Sequence, residues 1–331
     1  MVLYAAMNNH LPLDVKAKVL KAEKRIRSYI RETPLEYSPF LSHTAGCHVY
    51  LKLENLQLTG SFKYRGAVNK ILSLSQAELE KGIVTSSSGN HGAAFTYAAK
   101  KLGCKGTLYL PETISPAKLE PIKLYGADDI VFYGTDVVET ETFARRRAEE
   151  EGAVYISAYN DPEIIGGQGT IAVELMRQME KIDALFVPIG GGGLASGMAG
   201  YLKAVCPDIK ITGCQPEHSP VMYESVKAGR IIEMASKPTL ADGSAGGIEP
   251  GSITFDLCRA CIDDYVSVSE TQIAEAIKLT LQKDYMLIEG AAALTVASFL
   301  KTKEQFKGKQ VALVISGKKI ALDTLKKILS G

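Results

Sequence analysis

The run Thr59-Gly60-Ser61-Phe62-Lys63-Tyr64-Arg65-Gly66 sets a single lysine directly after a glycine-containing turn. Ser61 reads as an N-cap, and Val68, Ile71 and Leu72 supply the buried stripe of the helix that follows, so Lys63 is expected within its first turn. The positive end of a helix disfavours an ammonium charge, and a neutral lysine amine is a nucleophile toward aldehydes. The same residue could be an ordinary solvated lysine, as most are.

Two further stretches bear on that choice. Ser86-Ser87-Ser88-Gly89-Asn90-His91-Gly92 lies between the apolar Ile83-Val84 and a helical pattern in Ala93, Ala94, Tyr97, Ala98 and Leu102. A strand, then small polar residues, then a helix N-terminus makes an anion site from backbone N–H groups. Pro188-Ile189-Gly190-Gly191-Gly192-Gly193-Leu194 follows the strand-like run Asp183–Val187 in the same way. Four glycines let the backbone approach a phosphate closely; taken alone, they could equally be a flexible turn.

In this order the three stretches resemble the fold-type II pyridoxal-phosphate enzymes, and within them the threonine/serine dehydratase and serine racemase group. The resemblance extends through Arg31-Glu32-Thr33-Pro34-Leu35, Leu51–Gln57, Gly167-Gln168-Gly169-Thr170, Ala241-Asp242-Gly243 and Ile288-Glu289-Gly290. It implies pyridoxal 5'-phosphate as cofactor, held on Lys63 as a Schiff base, with Lys63 also the base toward Cα of an amino acid. It implies Phe62 packed on the cofactor ring and Asn90 bonded to the ring oxygen. The phosphate would lie on Gly190, Gly191, Gly192, Gly193 and Leu194, and Ser316 would face the pyridine nitrogen. Ser87, Ser88, Gly89, Asn90 and His91 would receive the substrate carboxylate. Glu289 is placed near the imine and Gly243 against the cofactor. The residues themselves also allow Glu289 as a surface group, Phe62 as plain core and His91 as a packed structural histidine. A serine at position 88, on the second face of the reacting carbon, keeps racemisation open beside elimination, as it does 3-hydroxyaspartate as a substrate. A cofactor-binding protein without turnover is the non-enzyme alternative.

Two departures from the family pattern stand out. The residues after Ser316 are Gly317, Lys318 and Lys319, where Gly and Asn are usual. Gln215 and Val221 stand where relatives place acidic metal ligands, and a hard cation prefers carboxylates, so no metal is expected.

Positioning these residues takes an alternation of strands and helices. Expected helices include Asp14–Ile30, Gly92–Leu102, Ala117–Tyr125 with a kink at Pro121, Val137–Glu151 and Glu163–Met179; expected strands include 49–54, 83–85, 107–110, 129–132, 209–214 and 311–315. The alternation implies an α/β protein with parallel sheets covered on both faces. The resemblance divides it into a smaller domain over 55–157 and a larger one over 1–54 and 158–331, with the cofactor in the cleft between them (a tryptophan synthase beta-like arrangement). It also implies that no regulatory domain follows the last helix. The 331 residues suffice for two domains, and a net charge of +1 offers nothing to nucleic acid or an anionic membrane. No run reaches the length of a membrane span, and Met1–His10 does not read as a signal peptide. Six scattered cysteines suit reduced thiols in the cytoplasm, with Cys258 and Cys261 on one helix face. The expected partners are an amino-acid substrate and further copies of the chain, as a dimer or tetramer.

Overall fold

A computed structural model describes residues 13–127 and 129–330; Met1–His10 and the start of the larger expected domain lie outside them. Among the described residues, ten strands form two sheets. β1 (Leu35–Tyr37), β2 (His48–Lys52), β7 (Ala184–Pro188), β8 (Lys210–Pro216), β9 (Asp264–Val268) and β10 (Gln310–Val314) make a six-stranded sheet in the order β1-β2-β10-β7-β8-β9. β3 (Ile83–Ser86), β4 (Gly106–Leu110), β5 (Asp129–Phe132) and β6 (Val154–Tyr155) make a four-stranded sheet in the order β5-β4-β3-β6. All neighbours pair in parallel except β1 with β2, an antiparallel edge that the alternation rule does not foresee.

The central strands of the larger sheet, β10, β7 and β8, are buried on both faces, which explains their largely apolar runs. On β7, Leu185 and Val187 pack into one core while Ala184 and Phe186 pack into the other. On β10, Ala312 and Val314 join the first core, and Val311 and Leu313 the second. The cleft elements therefore hang from strand ends fixed by two layers of packing.

The first helix among the described residues spans Val15–Ile26 and is capped by Asp14, whose carboxylate accepts the Ala17 N–H at 3.0 Å. It stops four residues short of the sequence expectation, because a turn and the segment before Pro34 take over. The helix Pro116–Leu124 runs through Pro121 without a break. In so short and exposed a helix the proline forgoes one intrahelical bond, and the helix ends one turn later.

The helix that starts at Lys63 (Lys63–Ser73) crosses the helix Pro162–Gln178 at unusually close range. The Gly66 N–H donates to Gln168 Oε1 at 3.2 Å, and a Cβ on Gly167 would lie 2.7 Å from both Arg65 O and Gly66 Cα. The obstructing atoms are backbone, so they yield only by moving a helix. Gly167→Ala is expected to destabilise the chain by about 1–3 kcal/mol, read from the denaturant midpoint; a cost below about 0.5 kcal/mol would mean the crossing relaxes freely.

Candidate active site

The lysine turn is stitched to the end of β10. Ser61 forms an antiparallel bridge with Gly317, the Phe62 N–H donates to Ser316 O at 3.1 Å, and the Lys318 N–H donates to Gly60 O at 3.1 Å. This pairing corrects the capping expectation. Ser61 is occupied by the bridge and its buried Oγ has no partner among the described residues, while Phe62 is the N-cap residue and Lys63 the first residue of its helix.

Lys63 Nζ donates to Ala158 O at 2.8 Å and lies 5.3 Å from the centre of the Phe62 ring. Burial pulls its amine down to about 8, against the opposing pull of the Glu289 carboxylate. Desolvation, rather than the helix end alone, thus makes the neutral amine accessible. Capture of an aldehyde by the protein freed of cofactor should accordingly rise with pH and be half-maximal near 8. Stopped-flow absorbance across pH 6.5–10 checks this; a midpoint above about 10, that of an ordinary lysine, would contradict it.

Asn90 opens the helix Asn90–Leu102 and reaches across the cleft to the other sheet's unit. Its Nδ2 donates to both oxygens of Glu289, at 2.9 and 3.0 Å, and its Oδ1 is buried without a partner among the described residues. Glu289 is no surface residue: it is 5% exposed, immediately precedes the helix Gly290–Thr302, and also accepts the Lys319 N–H at 3.1 Å. Burial pushes this carboxyl up to about 7 despite the Asn90 hydrogen bonds, and the Asp242 charge adds to the rise. Gly317 packs so tightly on the Glu289 carboxylate that a Cβ would collide with it, and a Cβ on Gly243 would lie 3.7 Å from Glu289 Oε1.

Ser87 and Ser88 are half-buried and Gly89 is exposed, between the end of β3 and the Asn90 helix. Ser87 Oγ accepts the Gly89 N–H at 3.2 Å, which shapes the loop. The His91 ring turns the other way. Its Nε2 lies 3.0 Å from Thr85 Oγ1 and 3.1 Å from Ile156 O, and burial, with Lys63 adding to the effect, pulls it down to about 3. His91 is therefore neutral and tied to the sheet, which leaves its main chain as the part available to a substrate carboxylate.

The glycine loop leaves β7 and enters the helix Gly193–Val205, whose first N–H groups have no intrahelical partners. Gly192 is left-handed, with φ of 89°. A Cβ on Gly191 would lie 2.5 Å from the Tyr159 ring, and one on Gly190 would lie 3.0 Å from Ser244 Cα. Thr254 Oγ1 donates to Gly191 O at 2.6 Å. Tyr159 and Thr254 frame this loop and were missed by sequence reasoning; no spacing marks either, because they come from segments remote in the chain. Leu194 is buried behind the loop and Ser316 at the end of β10.

Of the two unusual lysines, Lys318 is exposed and its side chain lies against Gly60. Lys319 is half-buried, with Nζ 5.0 Å from the centre of the Tyr125 ring, and burial pulls its amine down to about 8. At Gln215 the amide is engaged at both ends: Nε2 donates to Ile189 O at 3.2 Å, and Oε1 accepts the Tyr223 N–H at 2.8 Å. Val221 is buried in the core.

The strand ends thus converge an enclosed amine of lowered basicity, a hydroxyl, an orphaned amide oxygen beside a buried carboxyl, and a glycine cradle at a helix N-terminus. That set suits a phosphorylated aldehyde: an amine to bind the aldehyde, polar groups for a heteroaromatic ring, and backbone N–H groups for the phosphate. Comparison with known proteins agrees. Residues 26–317 match the family described as pyridoxal-phosphate dependent enzyme. The chain is 39% identical over 312 residues to the L-threonine ammonia-lyase of Thermotoga maritima, covering 94% of this chain and 77% of that protein. It is 36% identical to the L-threo-3-hydroxyaspartate ammonia-lyase of Saccharomyces cerevisiae, covering 95% of each. Among solved structures, maize serine racemase superposes with a TM-score of 0.89 at 33% identity, covering 95% of this chain and 96% of that one. The chain belongs to the pyridoxal-phosphate dependent enzyme family, with the fold-type II architecture.

Proposed function

We propose that this enzyme is an ammonia-lyase that converts L-threonine or L-serine to the 2-oxo acid and ammonia. The observation that carries the reading is the hydroxyl, rather than a carboxylate, at the end of β10, in a cleft that also holds Lys63 and the Asn90–Glu289 pair. Pyridoxal phosphate, when bound, supplies the aldehyde that takes the substrate amine and the ring that withdraws electrons from Cα. Ser316 would face the ring nitrogen; a neutral hydroxyl would not hold that nitrogen protonated as a carboxylate would, so the ring would withdraw less from Cα, which favours prompt loss of a β-leaving group over a long-lived carbanion.

In this reading Lys63 holds the cofactor at rest and takes the Cα proton during turnover. Asn90 orients the ring oxygen side, and Glu289 holds a proton close by. The glycine loop from Gly190 to Leu194 seats the phosphate, and the loop from Ser87 to His91 seats the substrate carboxylate. The Cα proton would pass to Lys63, the Cβ–O bond would break as the hydroxyl takes up one proton and departs as water, and hydrolysis of the resulting enamine would release ammonia. The smaller domain, residues 55–157, carries Lys63 and the carboxylate loop; the rest of the chain carries the phosphate loop and Ser316. The chain acts as a dimer or tetramer in the cytoplasm, a compartment that suits its six free thiols.

A panel of L-threonine, L-serine and the 3-hydroxyaspartates, scored for 2-oxo acid, tests the assignment. Threonine or serine should be turned over fastest; a hydroxyaspartate favoured by tenfold or more would replace the substrate, and no 2-oxo acid from any of them would refute elimination.

Racemisation deserves a place as a side reaction because Ser88 is half-buried on the substrate loop. A serine hydroxyl is a weak acid without help, so D-serine should form from L-serine far more slowly than pyruvate. Ser88→Ala should abolish D-serine while 2-oxo acid formation largely survives. Chiral chromatography reads both, and unchanged D-serine would clear Ser88 of the role.

A further inference from the structure

We propose that the Arg145–Glu249 ion pair is a clasp that sets the glycine loop, through Tyr159 and Thr254, according to how the four-stranded unit sits against the rest of the chain. The proposal rests on the reading that this loop receives the cofactor phosphate.

Arg145 lies on the helix Val137–Glu151, which packs on β3 and β4. Glu249 lies in the irregular stretch just before the helix Ile253–Cys261, in the unit of the larger sheet. Their side chains meet across the cleft, Arg145 Nη2 to Glu249 Oε2, at 3.0 Å. Half-exposed pairs of this kind are usually weak, because two long side chains must be ordered to form them. Here one side is already ordered. The Arg145 guanidinium donates from Nε and Nη2 to Glu141 Oε1 at 2.9 and 2.7 Å, and sits 4.2 Å from the centre of the Tyr155 ring.

The other side leads to the glycine loop by two routes. The Glu249 N–H donates to the Tyr159 hydroxyl at 2.9 Å, and the ring of Tyr159 lies against Gly191 where a Cβ would be. Four residues beyond Glu249, the Ile253 N–H donates to Asn160 Oδ1 at 3.0 Å, and Thr254 then donates to Gly191 O. Tyr159 thus ties Glu249 to Gly191, and Thr254, on the same stretch of chain as Glu249, holds Gly191 from the other side, with Arg145 at the outer corner. Moving the four-stranded unit outward pulls on Glu249 and so on both supports of Gly191. Arg145 and Glu249 are positioning residues; neither needs to touch the cofactor.

The test titrates the full-length protein, stripped of cofactor, with pyridoxal phosphate, following absorbance. Arg145→Met and Glu249→Gln should each raise the dissociation constant about fivefold, and the double variant should bind no worse than the weaker single one. Thermal midpoints of the cofactor-free variants should match the unaltered chain, which a merely structural role would not allow. Tyr159→Phe, which keeps the ring and removes the acceptor for the Glu249 N–H, should weaken binding in the same direction. Gly191→Ala separates the two layers of the argument. If it weakens cofactor binding while the pair variants bind normally or their effects multiply, the clasp is refuted alone. If it leaves binding unchanged, the loop does not seat the phosphate, and the clasp falls with that reading.

Discussion

Lys63→Ala is expected to abolish both the visible absorbance of the covalently held cofactor and the release of ammonia, with turnover falling by at least about a thousandfold. The size follows from the double role proposed for Lys63: one amine would hold the cofactor and take the Cα proton, and both would be lost together. Lys319 is the one rival worth testing. Burial pulls its amine down to about 8 as well, and its main chain bonds to the same Glu289. Its Nζ, however, points to Tyr125, while Lys63 Nζ faces Ala158 O from the first residue of its helix. Lys319→Ala should therefore keep the absorbance. Borohydride reduction followed by peptide mapping identifies the labelled residue, and a label on any residue but Lys63 would overturn the assignment.

The second large effect lies beneath the site. Arg65, two residues past Lys63, is fully buried and gripped by two carboxylates: Nε and Nη2 donate to Glu54 at 2.8 Å each, and Nη1 and Nη2 donate to Glu174 at 2.7 and 2.9 Å. Lys52 Nζ completes the set at 2.6 Å from Glu174 Oε2 and 2.7 Å from Thr33 O. Two buried cations meet two buried anions, the half-exposed Arg27 adds its Nη1 at 2.9 Å from Glu174 Oε1, and the buried members are hydrogen-bonded on most sides. Removing one member leaves a charge unpaired in a low-dielectric interior, at a cost of about 3–5 kcal/mol. Glu174→Gln should show that loss in denaturant unfolding, and Arg65→Met a similar one; a loss below about 1 kcal/mol would mean that water or rearrangement rescues the charge. The pH dependence has a definite sign. Burial alone would raise the Glu174 carboxyl, but Arg65 and Lys52 outweigh it and hold it down at about 2. A depressed carboxylate contributes its stability above the unfolded value near 4.5 and loses it as the pH falls toward 2. Glu174→Gln should flatten that acid limb.

The cleft was legible in the sequence where its parts are local. The glycine run after β7, the serines after β3 and the lysine after its turn each announce themselves within eight residues. What pairs with what was not. Asn90 and Glu289 lie 199 positions apart, and Arg65 and Glu174 lie 109 apart; no periodicity encodes such contacts. Ser61 had the right type for a cap, and a tertiary bridge to Gly317 claimed it first. The helix start alone suggests an activated Lys63; burial also pulls its amine down, and that enclosure is a property of the assembled cleft. Tyr159 could not be singled out at all, since only the close approach of Gly191 gives its ring a purpose.

Elimination at the Lys63 cleft is the central claim, and the balance of products from L-threonine tests it most directly. The loaded enzyme should release 2-oxobutanoate and ammonia in equal amounts, together accounting for nearly all the threonine consumed, with inverted amino acid a minor product. Inverted amino acid formed faster than 2-oxo acid, or threonine bound with no ammonia released, would contradict it.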